Sequence, residues 1–133
     1  AVTGVQTCAL PILTAHEVEL GCPLNNLAQE MSPLDQRFRR GVNATFDLWR
    51  DAVAKDLERG QAEGTVRKDV DPRKIAGFVV ASIEGSFGLA KGAQSAAMLR
   101  SNLEVLGSFL ESLRPTPRRL PTQEMRHGRR KKK

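Results

Sequence analysis

The sequence predicts an all-α fold, and three observations carry that prediction. Apolar residues recur at helical period from Leu34 to Leu57 and again from Leu99 to Leu113. Helix start and stop signals bracket each run, and no segment alternates with period two for long enough to make a strand. The periodic region spans residues 20–113. A body of about 95 residues leaves about a third of its surface uncovered and often leans on a partner subunit.

The first helical stretch, Leu24 to Met31, is short and follows Gly21-Cys22-Pro23, a stop-and-start signal. Ser32 reads as the N-cap of a second helix and Pro33 as its tolerated first position. That helix runs to near Arg59. Its apolar residues, Leu34, Phe38, Val42, Phe46, Trp49, Val53 and Leu57, follow at steps of four, four, four, three, four and four. They form one face, with Asp35, Arg39, Arg40, Asp47, Arg50, Asp51, Lys55 and Glu58 opposite. At about 1.5 Å per residue the helix is about 39 Å long. Gly60 and Gly64 end it.

Asp71-Pro72 is the next start signal, an N-cap carboxylate before a proline at N1. From Pro72 to near Lys91 the chain is apolar on most sides, through Ile75, Phe78, Val79, Val80, Ile83 and Leu89, as a buried helix is. Glycine costs about 1 kcal/mol relative to alanine inside a helix. Gly77, Gly85 and Gly88 therefore imply a compensating gain, the close approach of another helix. The last helix, Ala96 to Leu113, carries Leu99, Leu103, Leu106, Leu110 and Leu113 at steps of four, three, four and three. Val105 and Phe109 widen that face into a second stripe. Two stripes imply two packing partners, one inside the subunit and one across an interface, and twofold dimers are the commonest result.

Charge divides the chain. Residues 114–133 hold nine Lys or Arg against one Glu, whereas residues 1–113 hold twelve against fourteen acids. The body is mildly acidic and the basicity lies in a tail, which Pro115, Pro117 and Pro121 keep from forming a continuous helix. Such a tail reads as disordered and solvated, or as a phosphate-binding appendage. At the other end, AVTGVQTCALPI reads as a translated sequencing adapter. Residues 1–12 then stand outside the fold, and the protein continues upstream of Leu13. Cys8 and Cys22 have neither metal-ligand spacing nor a disulfide frame, the pattern of a reducing compartment. No eighteen consecutive residues are apolar, so no membrane span is expected.

In this order and spacing, Gly21-Cys22-Pro23-Leu24, the linker Gly64-Thr65-Val66-Arg67-Lys68-Asp69-Val70-Asp71-Pro72, and the Glu84-Gly85 pair resemble the C-terminal half of TetR-family regulators. The resemblance covers Gly21 to Leu113. It implies an antiparallel helical bundle whose last two helices form a four-helix bundle with those of a dimer mate. It also implies an N-terminal helix-turn-helix domain that reads operator DNA, and nothing in this chain resembles a recognition helix. On this reading the chain is the effector-binding and dimerisation domain of a cytoplasmic repressor. Residues 13–113 form the domain, and operator DNA is reached only through the missing half.

The implied effector is a small molecule of unknown identity. Phe46, Trp49 and Phe78 are the expected pocket walls, with Asn43 and Arg50 supplying polarity. The expected dimer contacts are Gly77, Ala81, Gly85, Leu99, Leu103, Leu106, Phe109 and Leu110. Glu84 is the one carboxylate inside the apolar helix. The commoner placement for such a residue is beside an arginine or at solvent; the other is a ligand cavity or the dimer interface, with a perturbed pKa. No nucleophile, base and orienting group assemble, and no nucleotide or metal motif is present, so no enzyme and no cofactor are expected. The alternative function is a small basic helical dimer that holds nucleic acid non-specifically through its tail.

Overall fold

The structure, a computed structural model, describes residues 15–116. The adapter-like run 1–12 and the tail beyond residue 116 lie outside the described residues. The described residues form five helices: α1 (Ala15–Leu20), α2 (Pro23–Met31), α3 (Gln36–Glu63), α4 (Pro72–Ala93) and α5 (Ala96–Glu111). No strand occurs among the described residues, so the chain is all-α as its periodicity predicts.

The long middle helix begins later than Ser32-Pro33 suggests. Ser32 instead closes α2, its N–H donating to the Ala28 carbonyl, and Asp35 caps α3. One Asp35 carboxylate oxygen accepts from the N–H groups of Arg37 and Phe38, at 2.7 and 3.0 Å. Asp35 thereby satisfies two of the orphan donors at the helix start. Leu34 falls in the intervening turn and is 79% exposed, so it lies off the core face that its spacing suggests. At the other end α3 passes through Gly60 and stops at Gly64, in the left-handed region at φ 75°. The start of α4 is as expected: Asp71 accepts from the Arg73 and Lys74 N–H groups, and Pro72 follows it. Helix α1 was not foreseen; six residues are too few for a period to declare itself.

Helix α4 lies at the centre, packed against α3, α5 and α1. Its inner face supplies Ala76 and Val79, both fully buried, with Val80 and Ala90. Leu57 from α3, Val66 from the linker, and Leu106, Leu110 and Leu113 at the chain's far end close the main core over Val79. A smaller cluster joins Val18, Ala90 and Leu99. Fully burying one such aliphatic side chain stabilises the fold by about 1.5–3 kcal/mol. The linker is tied down by the Arg67 N–H bond to the Leu113 carbonyl at 2.8 Å, and by Gln61 Nε2 donating to the Arg67 and Val70 carbonyls. By length and composition α4 also qualifies as a membrane span. Its packing between α3 and α5, with Glu84 halfway along, is that of the core helix of a bundle.

The two stripes of the last helix divide between core and surface, with Phe109 touching both. Leu99, Leu106 and Leu110 are 3%, 9% and 5% exposed and belong to the subunit's own core, which leaves them no surface for a partner. Leu103 is half-buried and packs against both core clusters. Met98 and Val105 face outward at 39% and 68% exposed, with half-buried Phe109 on the same side. The outer face of α4 continues that surface through Phe78, Ala81, Gly85, Gly88 and Leu89, all exposed. Phe78 meets Phe109 edge to face, with ring centroids 5.0 Å apart.

Candidate functional site: a carboxylate in an apolar cleft

Four elements converge on one cleft. Helix α1 ends at Gly21, which adopts φ 72°. Its N–H bonds back to the Val18 carbonyl at 3.2 Å. Cys22 is extended, and Pro23 starts α2 immediately. This tight reversal carries Cys22 over the middle of α4. Asn26 fixes the turn by donating to the Leu20 carbonyl at 2.9 Å, and Asn25 reaches the Glu84 backbone carbonyl at 3.4 Å. Across the gap stands Trp49 of α3, set edge-on to Phe46 with ring centroids 5.6 Å apart. The resulting cleft of about 380 Å³ is walled by Leu20 to Pro23 on one side, Trp49 on another, and Ile83, Glu84 and Phe87 beneath.

Glu84 is the polar centre of this apolar cleft. It is 8% exposed. The Cys22 thiol faces its carboxyl, while Oε2 has no hydrogen-bond partner among the described residues. Burial pushes the Glu84 carboxyl above its ordinary range, and the facing thiol only partly opposes that. Burial likewise raises the Cys22 thiol, in part against the pull of the Asn25 N–H, and the facing carboxyl adds to the rise. The thiol is therefore neutral, a poor nucleophile at neutral pH. Glu84 thus takes neither an arginine nor the solvent as its partner, because its position faces α2 and Trp49 rather than the outer face.

The expected pocket residues are divided by the structure. Trp49 walls the cleft and Phe46 supports it from behind. Arg50 sits one residue round α3, pairs with Asp47, and lines a separate polar hollow with Asp51, Arg73 and Gly77. Asn43 is exposed, and Phe78 lies on the outer face against Phe109. Leu20, Cys22, Ile83 and Phe87 escaped the sequence reading. One signal was available for Cys22. It occupies an N-cap position where Ser, Thr, Asp or Asn is usual, so a thiol there has another use.

The helical body thus carries an apolar cleft on one side and an apolar outer face on the other. The chain belongs to the family described as tetracyclin repressor-like, C-terminal domain, whose model matches residues 7–106. It is 31% identical over 90 residues to the HTH-type transcriptional repressor DhaR of Mycobacterium sp. (strain GP1), covering 68% of this chain and 42% of that protein. It is 31% identical over 97 residues to an uncharacterized HTH-type transcriptional regulator in the lacX 3′ region of Lactococcus lactis, covering 73% of this chain and 47% of that one. Over 104 residues it is 29% identical to the transcriptional regulator AcuR of Cereibacter sphaeroides, covering 78% and 42%. The chain thus spans less than half the length of these relatives. No solved structure matches it. The relatives are transcriptional regulators, which are not enzymes, in keeping with the expectation of no catalysis.

Proposed function

We propose that this chain is the effector-binding and dimerisation domain of a TetR-type repressor acting in the cytoplasm, where operators lie. Operator DNA would be read by a helix-turn-helix domain in the remainder of the intact protein. The carrying observation is that α4 alone joins the two functional surfaces. Its one flank holds Glu84 in the cleft. Its outer face presents Phe78, Ala81, Gly85, Gly88 and Leu89, with Gly77 at its margin. A β-carbon placed on Gly77, Gly85 or Gly88 would meet nothing within 4 Å among the described residues. The helical penalty of these glycines is therefore not offset inside the subunit. Approach of a second copy offsets it, as the outward stripe of Met98, Val105 and Phe109 on α5 also invites.

A ligand in the cleft would act by favouring one placement of α4 over another. Such a change is transmitted only as far as the ligand's affinity differs between the two dimer states. Sedimentation of the chain on the order of tens of micromolar tests the reading. A dimer is expected, whereas a fully helical monomer would contradict it.

A further inference from the structure

We propose that the cleft takes a small organic amine in its protonated form, the ammonium donating to the Glu84 carboxylate and the hydrocarbon body lying against Trp49, Ile83 and Phe87. The inference rests on reading the cleft as the effector site.

The first support is the orphaned oxygen. A buried carboxylate with one oxygen lacking a donor is costly, and a cation set against that carboxylate offsets part of the penalty. The second is charge. Among the described lining residues there is no Lys, Arg or His. The next cation along α4, Lys91, is two turns from Glu84; its stem packs beside Gly21 at the cleft's rim and the residue is exposed. An anionic ligand would set a second negative group beside Glu84 with no cation among the described lining residues to neutralise either. A neutral alcohol would satisfy the oxygen but leave the charge uncompensated, whereas a charge-assisted bond is about twice as strong as a neutral one. The third is the wall opposite. Trp49 presents the aromatic ring to which cations are drawn most strongly, and it is the chain's single tryptophan. The volume, about 380 Å³, suits a compact ligand rather than a polycyclic one.

Trp49 also supplies the readout, because the chain has no tyrosine and its emission reports from the cleft wall. The full chain is titrated with hexylamine, hexan-1-ol and hexanoate, which share a body and differ in the head group. Hexylamine is expected to shift the emission with an affinity at least about tenfold above that of hexanol. Hexanoate is expected to leave it unchanged. Glu84→Gln, nearly isosteric, should bring the amine down to the level of the alcohol while circular dichroism shows the helices intact. Equal affinities for amine and alcohol, or tightest binding of hexanoate, would overturn the amine inference and leave the cleft as a ligand site. Silence from all three would overturn the reading of the cleft itself. The comparison of head groups on the unaltered chain decides even where the variant folds poorly.

Discussion

Val66 places a methyl group 2.6 Å from where a β-carbon on Gly60 would stand, so the linker folds back onto α3 through a gap that only glycine leaves. Thr65 Oγ1 approaches the same point at 3.2 Å and donates to the Gly60 carbonyl. Val66 is 2% exposed and has nowhere to move. Gly60→Ala therefore sets a gain of about 1 kcal/mol in helix propensity against about 1–3 kcal/mol of overpacking. A net loss of stability in urea unfolding is expected. A more stable variant would show that Val66 is not pinned.

Burial raises the Glu84 carboxyl above its ordinary value of 4.5, and the sign of its effect on stability follows. Above 4.5 the unfolded chain releases this proton while the folded chain keeps it. The unfolded state then binds fewer protons, and stability falls as pH rises through the raised folded value. Glu84→Gln removes the slope. At equal protein concentration the ligand-free variant should melt higher than the parent near neutral pH, with the gap closing as pH falls toward 4.5. A parent that is the more stable at neutral pH would mean that a cation already holds Glu84 ionised.

Leu110 and Val105 lie on the same helix, and the fold assigns them opposite fates. Leu110→Ala should cost about 2–5 kcal/mol by opening a cavity in the core. Val105 is 68% exposed, so Val105→Glu should leave helicity and the unfolding of the subunit nearly unchanged. Placed in an apolar interface, the same charge should turn a sedimenting dimer into a monomer. A Val105→Glu dimer would move the interface elsewhere.

Asp71 accepts from two N–H groups at the start of α4. Asp71→Ala should lower stability by about 1 kcal/mol, as loss of an N-cap does. Because α4 borders both the cleft and the outer face, amine binding and dimerisation should weaken together in this variant. Calorimetric titration and sedimentation read the two effects separately.

Duplex DNA offers a test of the basic end. Any retention of DNA by this chain should collapse between low and moderate salt and vanish on removal of residues 114–133. Salt-resistant retention by the shortened chain would point to a DNA-reading surface on the helical body.

The sequence by itself determined the fold class, the number of long helices and the sharp boundary at Asp71-Pro72. These features are local: a period of apolar residues, a capping carboxylate and a proline act within a turn or two of chain. It also marked α4 as unusual, through Glu84 among apolar residues and through its glycines. What only the tertiary structure decided is which side of each helix meets which neighbour. The leucine stripe and the Val105–Phe109 stripe are equally apolar as text, and only packing against α3 and α4 turns the first inward. Phe46, Trp49 and Phe78 are likewise alike in composition, but the rotation of α4 sends Phe78 to the outer face and leaves Trp49 across from Glu84. Cys22 and Glu84 are far apart along the chain. Their meeting depends on the turn at Gly21 bringing the start of α2 against α4, a relation that no spacing within either segment encodes.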